Sequence, residues 1–151
     1  MRPATFALPM SLNGHRFSVP IARGVGASNL KVTELWMVDY FTRVTALAPN
    51  SPIIDIGANL GQTLLKVKSV DPQRAYVGFE PSAFCVTYLT ELIRLNRMER
   101  VEVVPSALGD AAGLVVLHAE SEADSAATIV NGLRPGRGLS LIHISEPTRP
   151  C

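Results

Sequence analysis

Only two cysteines, Cys85 and Cys151, occur in the 151 residues, and they form neither a metal-ligand pattern nor a disulfide framework. Acid and base nearly cancel, with 14 Lys plus Arg against 13 Asp plus Glu. No basic stripe stands out, so a nucleic-acid partner is not expected. No apolar run is long enough to cross a bilayer, so no membrane span is expected either. The first residues, MRPATFALPMSLNGH, hold one Arg and a short apolar stretch broken by Pro, which is not the pattern of a signal peptide. A reduced, cytoplasmic setting is the expectation. Internal repeats are absent. What remains is an apolar fraction of 47% and a charged fraction of 18%, which suit one globular domain with a real core.

Along the chain, residues 6–10 and 15–20 flank Asn13-Gly14, a strong short-range hairpin signal. A Gly-rich link, Arg23-Gly24-Val25-Gly26, follows. Met37, Phe41, Val44 and Leu47 recur at helical spacing and predict a helix over 33–47, stopped by Pro49. Short apolar strands are predicted at 53–56, 76–79 and 101–104, and a further strand at 113–118. A helix over 61–70 separates the first two. Ser82 can cap another helix, with Cys85, Leu89, Leu92, Ile93 and Asn96 on its inner face. Strands alternating with helices imply an α/β fold: a parallel sheet with helices on its faces, wound in a Rossmann-like way. In such a sheet the first strand-to-helix turn lies at the carboxyl edge, at a switch point where ligands bind.

That turn is IIDIGANLGQT, residues 53–63. Gly57 and Gly61 remove side chains where a ligand would approach the backbone. The pattern D-x-G-x-x-x-G is not the dinucleotide fingerprint G-x-G-x-x-G, and no Lys follows Gly61 as in a P-loop. Asp55 places a carboxylate at the strand end, able to orient the loop or to accept from a ligand ammonium. Alone, the turn could be a strand–helix connection that holds nothing. Glu80 weighs against that: it ends the second strand 25 residues after Asp55, near the position where an acid holds a ribose diol. One carboxylate has acceptor capacity for two hydroxyls. The plainer alternative is a solvated acid near a helix start. A ribose site without phosphate recognition favours S-adenosylmethionine over NAD.

The blocks DIGANLGQT, GFEP, LIRLN and PSALGD, in this order and spacing, resemble the FkbM-type methyltransferases, a branch of the Rossmann-like enzymes that use S-adenosylmethionine. The resemblance runs from about residue 34 to about residue 137. It implies a class I methyltransferase fold and methyl transfer to an oxygen, with a sugar or secondary metabolite as the small-molecule or glycan acceptor. By the same resemblance, Asp55, Gly57, Ala58, Asn59 and Gly61 would surround the methionine part of the cofactor, and Glu80 would hold the ribose. Ser106 and Ala107 would lie beside the adenine, and Asp110 would either contact the adenine edge or cap a turn. Two other readings stay open: a nucleoside-binding module without catalysis, and an NAD-dependent oxidoreductase.

No catalytic residue can be named. The family carries an acidic block resembling D-x-E-G on a later strand, facing the acceptor, and this chain has none. Its later acids are Glu120, Glu122, Asp124 and Glu146, the first three in a polar stretch. His15 falls in the hairpin, His118 ends a strand, and Cys85 sits on an apolar helix face. No metal site is expected. The chain therefore reads as a fold truncated after about the first half of its parallel sheet, inactive as it stands, with strand 53–56 left as an apolar edge. Residues 139–149, LSLIHISEPTR, match without a mismatch the translation of a common transposase-based sequencing adapter. The division expected is hairpin and linker over 1–32, partial cofactor domain over 33–137, and an artefactual tail over 138–151. His143 and Cys151 then have no evolved role, and the run LSLIHI has no partner element.

Overall fold

Asn13 and Gly14, at φ 49° and 78°, close a two-residue turn between β1 (Phe6–Leu12) and β2 (His15–Ile21). A type I′ hairpin turn needs positive φ at both central positions, and Asn-Gly supplies it at little steric cost. The antiparallel register runs from Leu12 opposite His15 to Phe6 opposite Ile21. The protein is described by a computed structural model covering residues 6–22, 24–119, 127 and 137–145. Glu120, Glu122, Asp124, Glu146 and Cys151 lie outside the described residues.

A short helix, α1 (Ala27–Leu30), ends the Gly-rich link, where none was expected. Helix α2 (Trp36–Leu47) starts later than the predicted residue 33 because Glu34 adopts φ 55°, which a right-handed helix cannot contain. Then come β3 (Ile53–Ile56), α3 (Gln62–Val70), β4 (Tyr76–Phe79), α4 (Ala83–Leu95) and β5 (Val101–Val104), as the periodicity predicts. Ser82 caps α4, its hydroxyl oxygen accepting from the Cys85 amide at 3.4 Å.

Strands β3, β4 and β5 form a parallel sheet in chain order, with Ile53, Tyr76 and Val101 side by side. Two right-handed crossovers in one direction place both connecting helices on one face. The packing agrees: Ile53, Tyr76, Val101 and Val103 meet Leu64 and Val67 of α3, Leu89 of α4 and Phe41 of α2 in one cluster. The expectation of helices on both faces is therefore corrected for the described residues, since covering the second face needs the winding to reverse.

Behind the helices lies the hairpin. Met10, Leu12, Phe17, Val19 and Ile21 pack on Leu65 of α3 and on Cys85, Tyr88 and Leu92 of α4. The two helices are thus sandwiched between sheet and hairpin, and α3 is buried at every position from Leu64 to Ser69. That burial takes in two lysines. The Lys68 ammonium donates to the carbonyls of Pro72, Arg74 and Glu99, and Lys66 pairs with Glu34 at 3.2 Å. Arg74, also buried, donates to the carbonyls of Ala48 and Ser51 and fixes the end of α2.

A second sheet has the order β6 (Ala107–Leu108), β8 (Arg137–Ser145), β7 (Gly113–Ala119). The strand expected near 113–118 forms, but outside the parallel sheet: no helix separates it from β5 to carry the chain across. The run LSLIHI does have partners, contrary to expectation. It pairs parallel to β6 and antiparallel to β7, with Ile142 and Ile144 buried. A backbone ladder asks little of side-chain identity, and alternating Ile residues on one face are enough to cover it.

No helix among the described residues is long and apolar enough to cross a membrane. The uncovered face of β3 shows Ile54 and Ile56, 62% and 67% exposed, on an edge strand. Apolar edges of this kind recruit other strands. Replacing Ile54→Lys together with Ile56→Glu is expected to reduce self-association, read by light scattering against concentration, and to change unfolding free energy by no more than about 0.5 kcal/mol. Unchanged association would show that this edge is not the sticky surface.

Candidate ligand site at the carboxyl edge of the sheet

The loop 57–61 leaves β3 at the carboxyl edge and is held by main-chain bonds together with side-chain bonds from Glu80 and Asn29. The amides of Gly57 and Ala58 both donate to the Phe79 carbonyl, at 2.9 and 3.0 Å, and the Gly61 amide donates to Ala58 at 2.8 Å. Three of the five residues take positive φ: Gly57 at 87°, Asn59 at 44° and Gly61 at 78°. Such a run of left-handed positions is costly without glycine, and Asn is the side chain that tolerates it best.

The glycines serve different ends. A Cβ on Gly57 would meet nothing within 4 Å, so the space above it is open. A Cβ on Gly61 would fall 2.8 Å from Leu89 and 2.9 Å from Leu92. Gly61 is therefore demanded by the contact of α3 with α4, whatever else approaches the loop, and the two glycines differ in what surrounds them. Ala58, 5% exposed, turns its methyl into the sheet-side core.

Glu80 is not a solvated acid. It is 5% exposed, and its carboxylate accepts from the Asn59 amide at 2.7 Å and the Ser82 amide at 2.8 Å, one through each oxygen. Burial raises its pKa above the ordinary 4.5; the two amide donors pull it back, and Asp55 adds to the rise. A raised pKa in the fold makes protonation favour folding. That contribution is complete below the ordinary value of 4.5 and is lost as pH rises through the raised one. Each oxygen keeps acceptor capacity after its single amide bond.

Asp55 is bonded to the neighbouring strand. Its carboxylate accepts from the Tyr76 hydroxyl at 2.5 Å, and Tyr76 is 1% exposed. Gly78 makes this bond possible. It lies opposite Asp55 in the register and on the same face as Tyr76, and a Cβ there would sit 2.9 Å from the Tyr76 ring and 3.0 Å from Ala58. Burial and the neighbouring Asp55 together push the Tyr76 hydroxyl pKa far above its ordinary range. Tyr76 and Gly78 were not singled out from the sequence, although a glycine inside a strand is itself a signal of close approach.

Ser106 and Ala107 follow β5, whose last residue, Val104, accepts from the amides of Glu80 at 3.0 Å and Ser106 at 2.8 Å, and Ala107 begins β6 opposite Ile144. Ser106 is buried and its hydroxyl donates to the Ala107 carbonyl at 2.9 Å. Asp110 is exposed. His15 is exposed in the hairpin and His118 lies in β7, so the structure gathers neither into the group around Glu80. Cys85 is core: burial pushes its thiol pKa up to about 11. Among the described residues no three His, Cys, Asp or Glu side chains are placed to hold a metal ion. A concavity lined by His15, Arg16, Lys68, Gln73, Asn96 and Arg97 opens beside the loops that lead into β4 and β5, at the amino edge.

No family model and no curated protein matches the chain. It is similar to a solved Pyrococcus horikoshii protein described as "putative transferase PH0793", with 18% identity and a TM-score of 0.46. The match covers 69% of this chain and 37% of that one.

The two glycine roles separate experimentally. Gly61→Ala is expected to lower unfolding free energy by about 2–4 kcal/mol, from a left-handed alanine plus overpacking. Gly57→Ala, with open space around it, should lose only about 1–2 kcal/mol. Urea denaturation measures both, and equal losses would contradict the assignment.

Proposed function

We propose that this chain carries the cofactor-binding half of an S-adenosylmethionine-dependent methyltransferase of the FkbM type, acting on an oxygen of a small molecule or glycan. The observation that carries the reading is Glu80: a buried carboxylate at the carboxyl end of the second parallel strand, bonded to the glycine loop that ends the first. The residues present fit such a cofactor. Glu80 keeps acceptor capacity for a ribose diol, and the open space over Gly57 can admit a ligand against bare backbone. In this reading residues 57–61 hold the methionine part, Glu80 the ribose, and Ser106 and Ala107 flank the adenine, while Asp55 and Tyr76 fix the loop from beneath.

When bound, the cofactor supplies an activated methyl group on a sulfonium. The protein's share is alignment of the acceptor oxygen with that methyl, and removal of the hydroxyl proton. No described residue is placed for the second task, so the chain as it stands is expected to bind without turning over. Absence of a G-x-G-x-x-G turn and of a lysine after Gly61 disfavours NAD and polyphosphate ligands. We also propose that residues 138–151 are foreign. Sequencing the locus from source DNA, by a method that uses no such adapter, should give a different continuation after Arg137, and recovering LSLIHISEPTR would refute this.

Calorimetric titration tests the cofactor reading. S-adenosylmethionine or its demethylated product should bind and NAD should not. Glu80→Ala should weaken binding by about 2–3 kcal/mol, roughly 30- to 150-fold. Because only the ionised Glu80 accepts both hydroxyls, affinity should fall as pH drops through its raised pKa, and that dependence should vanish in the variant. Tight NAD binding without response to the methyl donor would overturn the reading.

A further inference from the structure

Asn29 lies on α1, far from the loop in sequence, and is 4% exposed. Its Nδ2 donates to the Leu60 carbonyl at 2.7 Å and, more loosely, to the Tyr88 hydroxyl at 3.3 Å. A carbonyl can only accept, so the amide nitrogen must face Leu60, and this orientation fixes where Oδ1 goes. Oδ1 is buried and has no hydrogen-bond partner among the described residues. A buried acceptor left without a donor is a cost that folded proteins rarely carry. Here it is the consequence of aiming the donor at one particular carbonyl.

That carbonyl belongs to the residue between two left-handed positions, Asn59 at φ 44° and Gly61 at φ 78°. Asn59 gives its amide to Glu80, and Gly61 begins α3. Helix α1 itself is tightly seated. Gly26, which precedes it, has no room for a side chain, since a Cβ would lie 2.3 Å from the Pro20 carbonyl and 2.5 Å from the Tyr88 hydroxyl. The Asn29 amide donates to Gly26 at 3.0 Å, and Ile21 and Val19 pack in one cluster with Tyr88 and Leu92.

We infer that Asn29 is a positioning residue for loop 57–61, so that the N-terminal hairpin and α1 brace the ligand loop from behind instead of being an appendage to the fold. The inference rests on the proposed reading of that loop as the methyl-donor site. It acts through Leu60: the side chain clamps the peptide that joins the Glu80-bound amide to the first turn of α3.

The test compares the full chain with Asn29→Ala, Asn29→Leu and a control, Asn13→Ala. Asn13 donates to the Ser69 carbonyl at 2.9 Å, so the control loosens the same N-terminal segment without touching the loop. Asn29→Leu keeps nearly the same bulk and removes both the bond and the orphan oxygen, so it guards against an alanine variant that fails to fold. Amide hydrogen exchange, followed without ligand, should quicken about tenfold at Asn59 and Gly61 in both Asn29 variants and stay unchanged there in the control. S-adenosylmethionine affinity should fall about tenfold in the Asn29 variants and stay within about twofold in the control. Parent-like exchange at Asn59 and Gly61 in Asn29→Leu, or equal acceleration in the control, would overturn the inference. A parent chain that ignores the methyl donor would overturn the functional reading alone, and the exchange result would still decide the role of Asn29.

Discussion

A carboxylate removed from water must find donors, and Glu80 finds them in two backbone amides, Asn59 on the loop after β3 and Ser82 at the start of α4. Those two bonds join the exits of neighbouring parallel strands. They also hold Asn59 in a left-handed conformation that few residues accept. Without Glu80 the loop would keep its links to Phe79 but lose the contact that sets its crest. The geometry of the site therefore depends on a charge that burial disfavours, and both the fold and any ligand bear on that one group.

The layers explain how the rest of the chain supports this arrangement. Helices α3 and α4 are covered on one side by the sheet and on the other by the hairpin, so neither can shift without disturbing both clusters. Gly61 allows their close approach at the base of the loop. Tyr76 reaches over Gly78 to Asp55 and stiffens the end of β3 from within. On the far face nothing described covers Ile54 and Ile56, and on α2 Trp36, Tyr40 and Leu47 are exposed as well. A strand apolar on both faces is the signature of burial between two layers, and among the described residues only one layer covers β3.

The periodic elements were legible because their signals are local. Asn-Gly fixed the hairpin, and the alternation of short apolar runs with helical spacing marked β3 to β5 and the helices between them. The grouping of Asp55, the glycine loop and Glu80 was legible for the same reason, since parallel strands bring their carboxyl ends together. What escaped was everything that depends on a distant partner. The positive φ of Glu34, the burial of Lys66 and Lys68, and the bond from Asn29 to Leu60 leave no mark on the residues nearby. The packing demand on Gly61 was not legible, because sequence cannot tell open space from a neighbouring helix. The pairing of β8 was missed because a backbone ladder selects for alternation and little else.

Amide chemical-shift mapping on isotope-labelled protein puts the central claim to its most direct test, because it reads position as well as binding. On addition of S-adenosylmethionine, the account predicts shifts concentrated at Gly57, Asn59 and Gly61, at Glu80 and Ser82, and at Ser106 and Ala107. Residues around the amino-edge concavity, such as Arg16 and Arg97, should stay still. Shifts centred on that concavity, or saturation without movement at Asn59 and Glu80, would contradict it.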